Sequence, residues 1–180
     1  MLDQDWKIIK ECLAGETGNF EELIDRYQKP IFNLAYRMMS DIQDAEDVTQ
    51  TVFIKAYESL NSFNPKYKFF SWIYRMAINE TLNVINKKKQ LTELDQNVVS
   101  HEKSPDTFYE EQELSQNIQD ALMNLKAEYR EVIVLKHLQG ISYKEVSQML
   151  SIPEKTVKSR LFSARLLLKD VLIKTGIVIQ

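Results

Sequence analysis

The chain has 180 residues, 44% of them hydrophobic, and a formal net charge of −3. That content supports one domain or two small ones with real cores, and the longest apolar runs are too short to cross a bilayer. Four glycines and four prolines leave little for tight turns, and the single cysteine, Cys12, rules out an intrachain disulfide and reads as a small buried apolar residue of a cytoplasmic protein.

Apolar residues recur at three and four positions through most of the chain, which predicts an all-α fold. The start, "MLDQDWKIIK", lacks the basic lead and apolar block of a signal peptide. A first helix is expected over residues 5–14, stopping before Gly15. A second spans about 19–39, and Pro30 should kink or split it. Ser40 or Asp41 caps a third, to about residue 60. A loop containing Pro65 leads to a fourth over 70–88, completing a first domain, residues 1–90. Residues 91–113 are polar, acidic and weakly periodic, and read as a flexible linker. In the second domain, 114–180, helices are expected over about 113–125, over 127–139 ending at Gly140, over 143–150, and from Pro153 to about 174.

The net charge conceals a division. Residues 91–113 hold seven acids against one lysine, whereas residues 114–180 hold ten Lys and Arg against six acids. The C-terminal part is therefore a candidate DNA-binding half in a chain that is acidic overall.

The stretch "GISYKEVSQMLSIPEKTVKSRLFSARLLLKDVL" has the layout of a helix-turn-helix. Val146 and Leu150 point inward from the first helix, and Ser142 caps it. On the second, Val157, Leu161, Ala164, Leu168 and Val171 share a core face at 100° per residue. Lys155, Lys158, Ser159 and Phe162 lie opposite, with Thr156, Arg160, Ser163 and Arg165 beside them. Cations, hydroxyls and an aromatic on such a helix suit the phosphates and base edges of a major groove.

The fourth helix of the first domain pairs an inward face of Phe70, Ile73, Ala77, Ile78, Thr81 and Ile85 with an outward column of Trp72, Arg75, Asn79, Asn83 and Asn86. Amides carry both donor and acceptor for base edges. A Trp face can hold an unstacked base, and Arg and Lys87–Lys89 serve the backbone. This is a face for single-stranded DNA, with Trp72 as a half-buried structural ring and Asn83 and Asn86 as plain surface the alternatives. On the third helix, Ala45, Val48, Val52, Ala56 and Leu60 point inward, and Asp47, Gln50, Thr51, Ile54 and Glu58 outward. One exposed isoleucine with a polar rim is an interface pattern.

Four stretches, "DAEDVTQTVFIKAYESL", "FFSWIYRMAINETLNVINKKK", "LKAEYREVIVLKHLQGISYKEVSQML" and "IPEKTVKSRLFSARLLLK", occur in the order found in one family. The chain resembles an RNA polymerase sigma factor of the extracytoplasmic-function (ECF) type. The resemblance implies a first domain that reads the promoter −10 element and holds core polymerase, and a second that reads the −35 element. Asn79 matches a position contacting the melted strand and Asn83 a neighbouring one. The loop at 63–68, with Lys66 and Lys68, matches one that pockets a flipped base. Asp47 and Gln50 match the motif that docks on the clamp coiled coil of the largest polymerase subunit, and Asp44 and Ile54 on the same helix are further candidate contacts. The acidic linker would thread along the path of RNA, or act as a simple tether. An anti-sigma factor is an expected further partner, and the apolar tail "GIVIQ" could pack on the second domain or on a partner.

The alternative is a stand-alone helix-turn-helix regulator of duplex operators. The Trp/Arg/Asn face and the Asp47–Ile54 stripe argue against it. No His/Cys metal spacing, Gly-rich phosphate loop or nucleophile arrangement points to an enzyme, a cofactor or a metal.

Overall fold

The computed structural model describes residues 4–94 and 109–174, and all their regular structure is helical. The expectations for the tail, and for most of the acidic linker, lie outside the described residues. Helix α1 (Gln4–Leu13) buries Ile8, Ile9 and Cys12. It is fastened to the next helix at buried Asp5, which accepts a 2.6 Å hydrogen bond from the Tyr27 hydroxyl and pairs with Arg26.

Helix α2 (Phe20–Met39) runs unbroken through Pro30, neither split nor ended there. Leu23 and Tyr27 before the proline, and Ile31, Leu34 and Met38 after it, are all buried. A break would set the two halves of that stripe out of line, and burying such side chains gains about 1.5–3 kcal/mol each, enough to offset one missing backbone hydrogen bond. The helix ends at Ser40, which takes a left-handed conformation at φ 57°.

Asp41, rather than Ser40, caps α3 (Ile42–Glu58), accepting from the Asp44 amide at 3.0 Å. Ala45, Val48, Val52 and Ala56 are buried, as their spacing predicts. Helix α4 (Phe69–Leu94) starts slightly early and continues into the acidic stretch. Ile73, Ala77, Ile78 and Thr81 are buried, and the Thr81 hydroxyl donates to the Ala77 carbonyl at 2.7 Å. Phe70 and Ile85 are only partly buried, while Phe69 and Tyr74 are core residues that the periodicity did not single out.

The second half begins with α5 (Tyr109–Met123). Helix α6 (Ala127–Ile133) passes without a break into a π turn (Val134–Leu138), in which the Gln139 amide donates to the Val134 carbonyl at 3.0 Å, so the helical run ends before Gly140 as its spacing predicts. Gly140 follows at φ 68°, a conformation that glycine takes without steric cost. Ser142 and Glu145 form a reciprocal cap at the start of α7 (Tyr143–Leu150). Met149 is buried beside Val146, and Leu150 only partly. Helix α8 (Glu154–Lys174) follows a turn at Ser151. Pro153 lies just outside α8, its carbonyl accepting from the Val157 amide at 3.1 Å.

Buried residues of the two halves form one hydrophobic cluster. Helix α2 packs against α3, α4 and α5, and α4 packs against α7.

Candidate nucleic-acid and polymerase interfaces

Arg75, Asn79, Asn83 and Asn86 are all exposed on α4, because the opposite side of the helix is spent on the core. Trp72 is different. It is half-buried, its ring 5.4 Å from Phe63 and 5.5 Å from Phe69, and Phe63 in turn lies 6.0 Å from Trp6. These rings fix the base of the 63–68 loop. The loop tip is tightened by the Asn64 side chain, which accepts from the Lys66 amide at 3.0 Å. Lys66, Tyr67 and Lys68 are exposed above it. Tyr67, 61% exposed between two lysines, is an open aromatic face that helical spacing did not single out. Its signal was present: an aromatic in a polar, proline-containing loop has no helical periodicity to bury it.

At the far end of this region, the Lys88 ammonium lies 3.2 Å from Asp41 and pairs with Asp44. Burial alone would lower the pKa of Lys88, but Asp44 and Asp41 outweigh it and the net move is upward. Asp41 is held below the usual carboxylate range, chiefly by the Asp44 amide and then by Lys88. Asp44 is thus tied to α4, while Asp47 points to solvent.

Between α2 and α3 lies an open cleft of about 920 Å³. Phe20, Ile24 and Phe32 line one side, and Phe53, Ile54 and Tyr57 the other, with Gln50 at the rim. Ile54 is 51% exposed. The sequence reading found the α3 stripe but not its partner, although Phe20, Ile24, Gln28 and Phe32 repeat every four residues on α2. The width of the surface became visible only when the two helices were set side by side.

On α8, Lys155, Lys158, Ser159 and Arg165 are exposed, and Phe162 is 65% exposed. Thr156 and Ser163 are half-buried at the edges of this face. Lys158 forms an ion pair with Glu154 at 2.8 Å and lies over the Tyr143 ring at 5.5 Å, so α7 helps to aim it. Arg165 Nε donates to His137 Nε2 at 3.0 Å, which requires a neutral imidazole. Burial, then Arg165 and Lys136, lower the His137 pKa and keep it neutral. Arg160 turns inward, 3.0 Å from the buried Glu131 carboxylate and 3.8 Å from Glu128.

The Sigma-70 region 2 family matches residues 23–90 and Sigma-70 region 4 matches 115–168. The ECF RNA polymerase sigma factor SigW of Bacillus subtilis is 36% identical over 171 residues, covering 88% of this chain and 91% of its own. The chain belongs to the ECF sigma factors of the sigma-70 family. As such it directs transcription initiation and is not an enzyme. The ECF sigma-E factor of Haemophilus influenzae is 32% identical over 178 residues, covering 92% of this chain and 94% of its own. The fold is that of the sigma factor RpoE from Bartonella quintana in complex with the anti-sigma factor NepR, with a TM-score of 0.75 at 23% identity over 86% of this chain and 96% of that one. This ECF sigma factor has no described helix long and apolar enough to cross a membrane. Among its described residues, no group of three His, Cys, Asp or Glu could hold a metal ion.

Proposed function

We infer that this sigma factor docks on core RNA polymerase through the α2–α3 cleft, reads the −35 duplex with α8, and holds the melted −10 strand with α4 and the 63–68 loop. The observation that carries this reading is the separation of three exposed surfaces, each with its own chemistry. The cleft offers aromatic and aliphatic side chains under a rim that includes Glu46, Gln50 and Glu58, with Asp47 exposed nearby on α3, suited to an apolar and basic helical partner. The clamp coiled coil of the largest polymerase subunit is that partner. The α8 face offers exposed cations and an exposed phenyl, suited to phosphates, base edges and thymine methyls. The α4 column offers amides and a guanidinium, suited to bases whose Watson–Crick edges have been freed.

Trp72 supports the loop rather than acting as an open platform, and Tyr67 takes the stacking role. Arg160 orients α8 rather than reaching the groove. A protein partner of the anti-sigma class is proposed as well, acting in the cytoplasm where core polymerase is found.

The test is transcription in vitro from a promoter library with purified core polymerase. The wild-type chain should select promoters sharing −35 and −10 elements. Binding to duplex sites without any core-dependent initiation would overturn the reading.

A further inference from the structure

We propose that His137 is a positioning residue for Arg165, and that it presents the Arg165 guanidinium to a phosphate of the −35 duplex. The proposal rests on the reading of α8 given above and names what aims one of its cations.

Arg165 lies seven residues beyond Lys158, about 10.5 Å along the same edge of α8. Both cations are met by a group from a neighbouring element. Lys158 lies over the Tyr143 ring of α7, and Arg165 Nε donates to His137 Nε2 at 3.0 Å. That bond uses one of the five guanidinium N–H groups. The other four, on Nη1 and Nη2, lie in one plane on an exposed side chain, and such a fork matches two oxygens of a phosphate. A long side chain without an anchor samples many rotamers in the free protein and loses them on binding. Fixing Nε beforehand removes part of that cost.

The acceptor sits in the π turn at Val134–Leu138. Such turns are rare and are frequently found at functional sites. Here Val134 and Leu135 fill the core, while His137 is exposed beside α8. Its ring lines a hollow of about 270 Å³ with Ile118, Leu122 and Leu168. An aliphatic side chain would line that hollow as well, whereas only an acceptor holds Arg165.

The contact carries a proton condition. Nε2 accepts only when the ring proton is on Nδ1, so an imidazolium cannot hold Arg165 and repels it. The charged groups that face His137 are Arg165 and Lys169 from α8 and Lys136 beside it, while α5 presents Ile118 and Leu122. Lys136 donates to the Ile141 carbonyl at 3.1 Å. Burial, Arg165 and Lys136 together keep the ring neutral at pH 7.

Two measurements test the proposal. On the free chain, nitrogen-15 NMR at pH 8 should find His137 as the Nδ1–H tautomer. It should also find a slowly exchanging arginine Nε–H, assigned to Arg165 by its loss in Arg165→Lys. That signal should vanish in His137→Leu and persist in His137→Gln, whose side-chain oxygen accepts at every pH. In the wild type it should fade on acidification below 6.5, the ordinary imidazole value.

The second measurement uses the holoenzyme on a promoter duplex that the wild type selects from a library. His137→Leu should weaken binding about three- to ten-fold at pH 8, the size expected for ordering one long side chain. His137→Gln should recover most of that loss. In an Arg165→Ala background, His137→Leu should cost nothing further. An Arg165 signal indifferent to His137→Leu, or an equal loss of affinity with and without Arg165, would overturn the positioning role. The Lys158→Ala/Phe162→Ala holoenzyme separates the two levels. If it loses −35 preference while Arg165→Ala binds as the wild type, the −35 reading stands and this proposal falls. If both variants bind and select as the wild type, the −35 reading has failed and the proposal falls with it.

Discussion

Arg160, on the helix-turn-helix element α8, is turned largely away from solvent and lies 3.0 Å from Glu131 on α6. The pair fixes the angle of α8 on the rest of its half. It does not hold the carboxylate at its ordinary value. Burial pushes Glu131 up from 4.5 to about 7, Arg160 opposes that move, and Glu128 adds to it.

The sign of the pH dependence follows. Between about pH 4.5 and about pH 7 the folded chain holds a proton on Glu131 that the unfolded chain has released. Stability therefore falls as pH rises through that window and levels off above it, with a total of up to about 3 kcal/mol from this group. Glu131→Gln should remove this fall and gain on the wild type between pH 5 and pH 8. Urea denaturation at the two pH values measures it. An equal offset at both would mean that Glu131 titrates normally.

At the polymerase face, Asp47→Lys with Ile54→Ala should weaken holoenzyme formation and leave the helical content and melting temperature close to wild type, because both side chains point to solvent. Phe53, 7% exposed, would be a poor choice because it also serves the core. Co-purification with core polymerase gives the answer, and full retention of the variant would clear the cleft of this role.

On α8, the Lys158→Ala/Phe162→Ala variant should lose preference at the −35 element while its opening of a promoter pre-melted at −10 is spared. Sequencing the transcripts of a promoter library reads this out. An unchanged −35 preference would assign these residues to plain surface.

The α4 column should matter after the strands part. Asn79→Ala with Tyr67→Ala should lower binding to a promoter pre-melted at the −10 region as well as to the duplex form. A base–aromatic stack is worth roughly 1–3 kcal/mol, so a loss of about ten-fold or more is expected. Trp72→Ala should behave differently, lowering the melting temperature as well, because its ring packs on Phe63 and Phe69. Wild-type affinity of the Asn79/Tyr67 variant for the pre-melted template would leave the asparagines without this function.

What could be read in advance depended on how local the cause was. The buried face of α3, the exposed column on α4 and the α7–α8 turn follow from spacing and capping, which act over a few residues. Pro30 did not split α2, because the forces that keep the helix whole come from helices far along the chain. The π character of the last turn before Gly140 was not foreseen, because it depends on where Val134 and Leu135 must point, not on any residue preference. Arg160 looked like a DNA contact because its pairing partner lies on another helix. The Phe20–Phe32 side of the cleft was visible as a repeat, but only its apposition to Ile54 gave it meaning. The packing of the two halves had no sequence signal, since its donors and acceptors are common surface residue types brought together by the fold.

The Arg130 side chain has a consequence in time. Its guanidinium serves the carbonyls of Leu122, Met123 and Leu125 at the end of α5 and also that of Met38 at the end of α2. A ribosome adds about 5–20 residues per second, so Met38 is made several seconds before the arginine that will cap it. Through that interval the first half has to fold and persist without its last hydrogen bond. A nascent chain stalled before residue 130 would therefore already present its α2–α3 cleft, and the order of synthesis would give the first half a head start over the second.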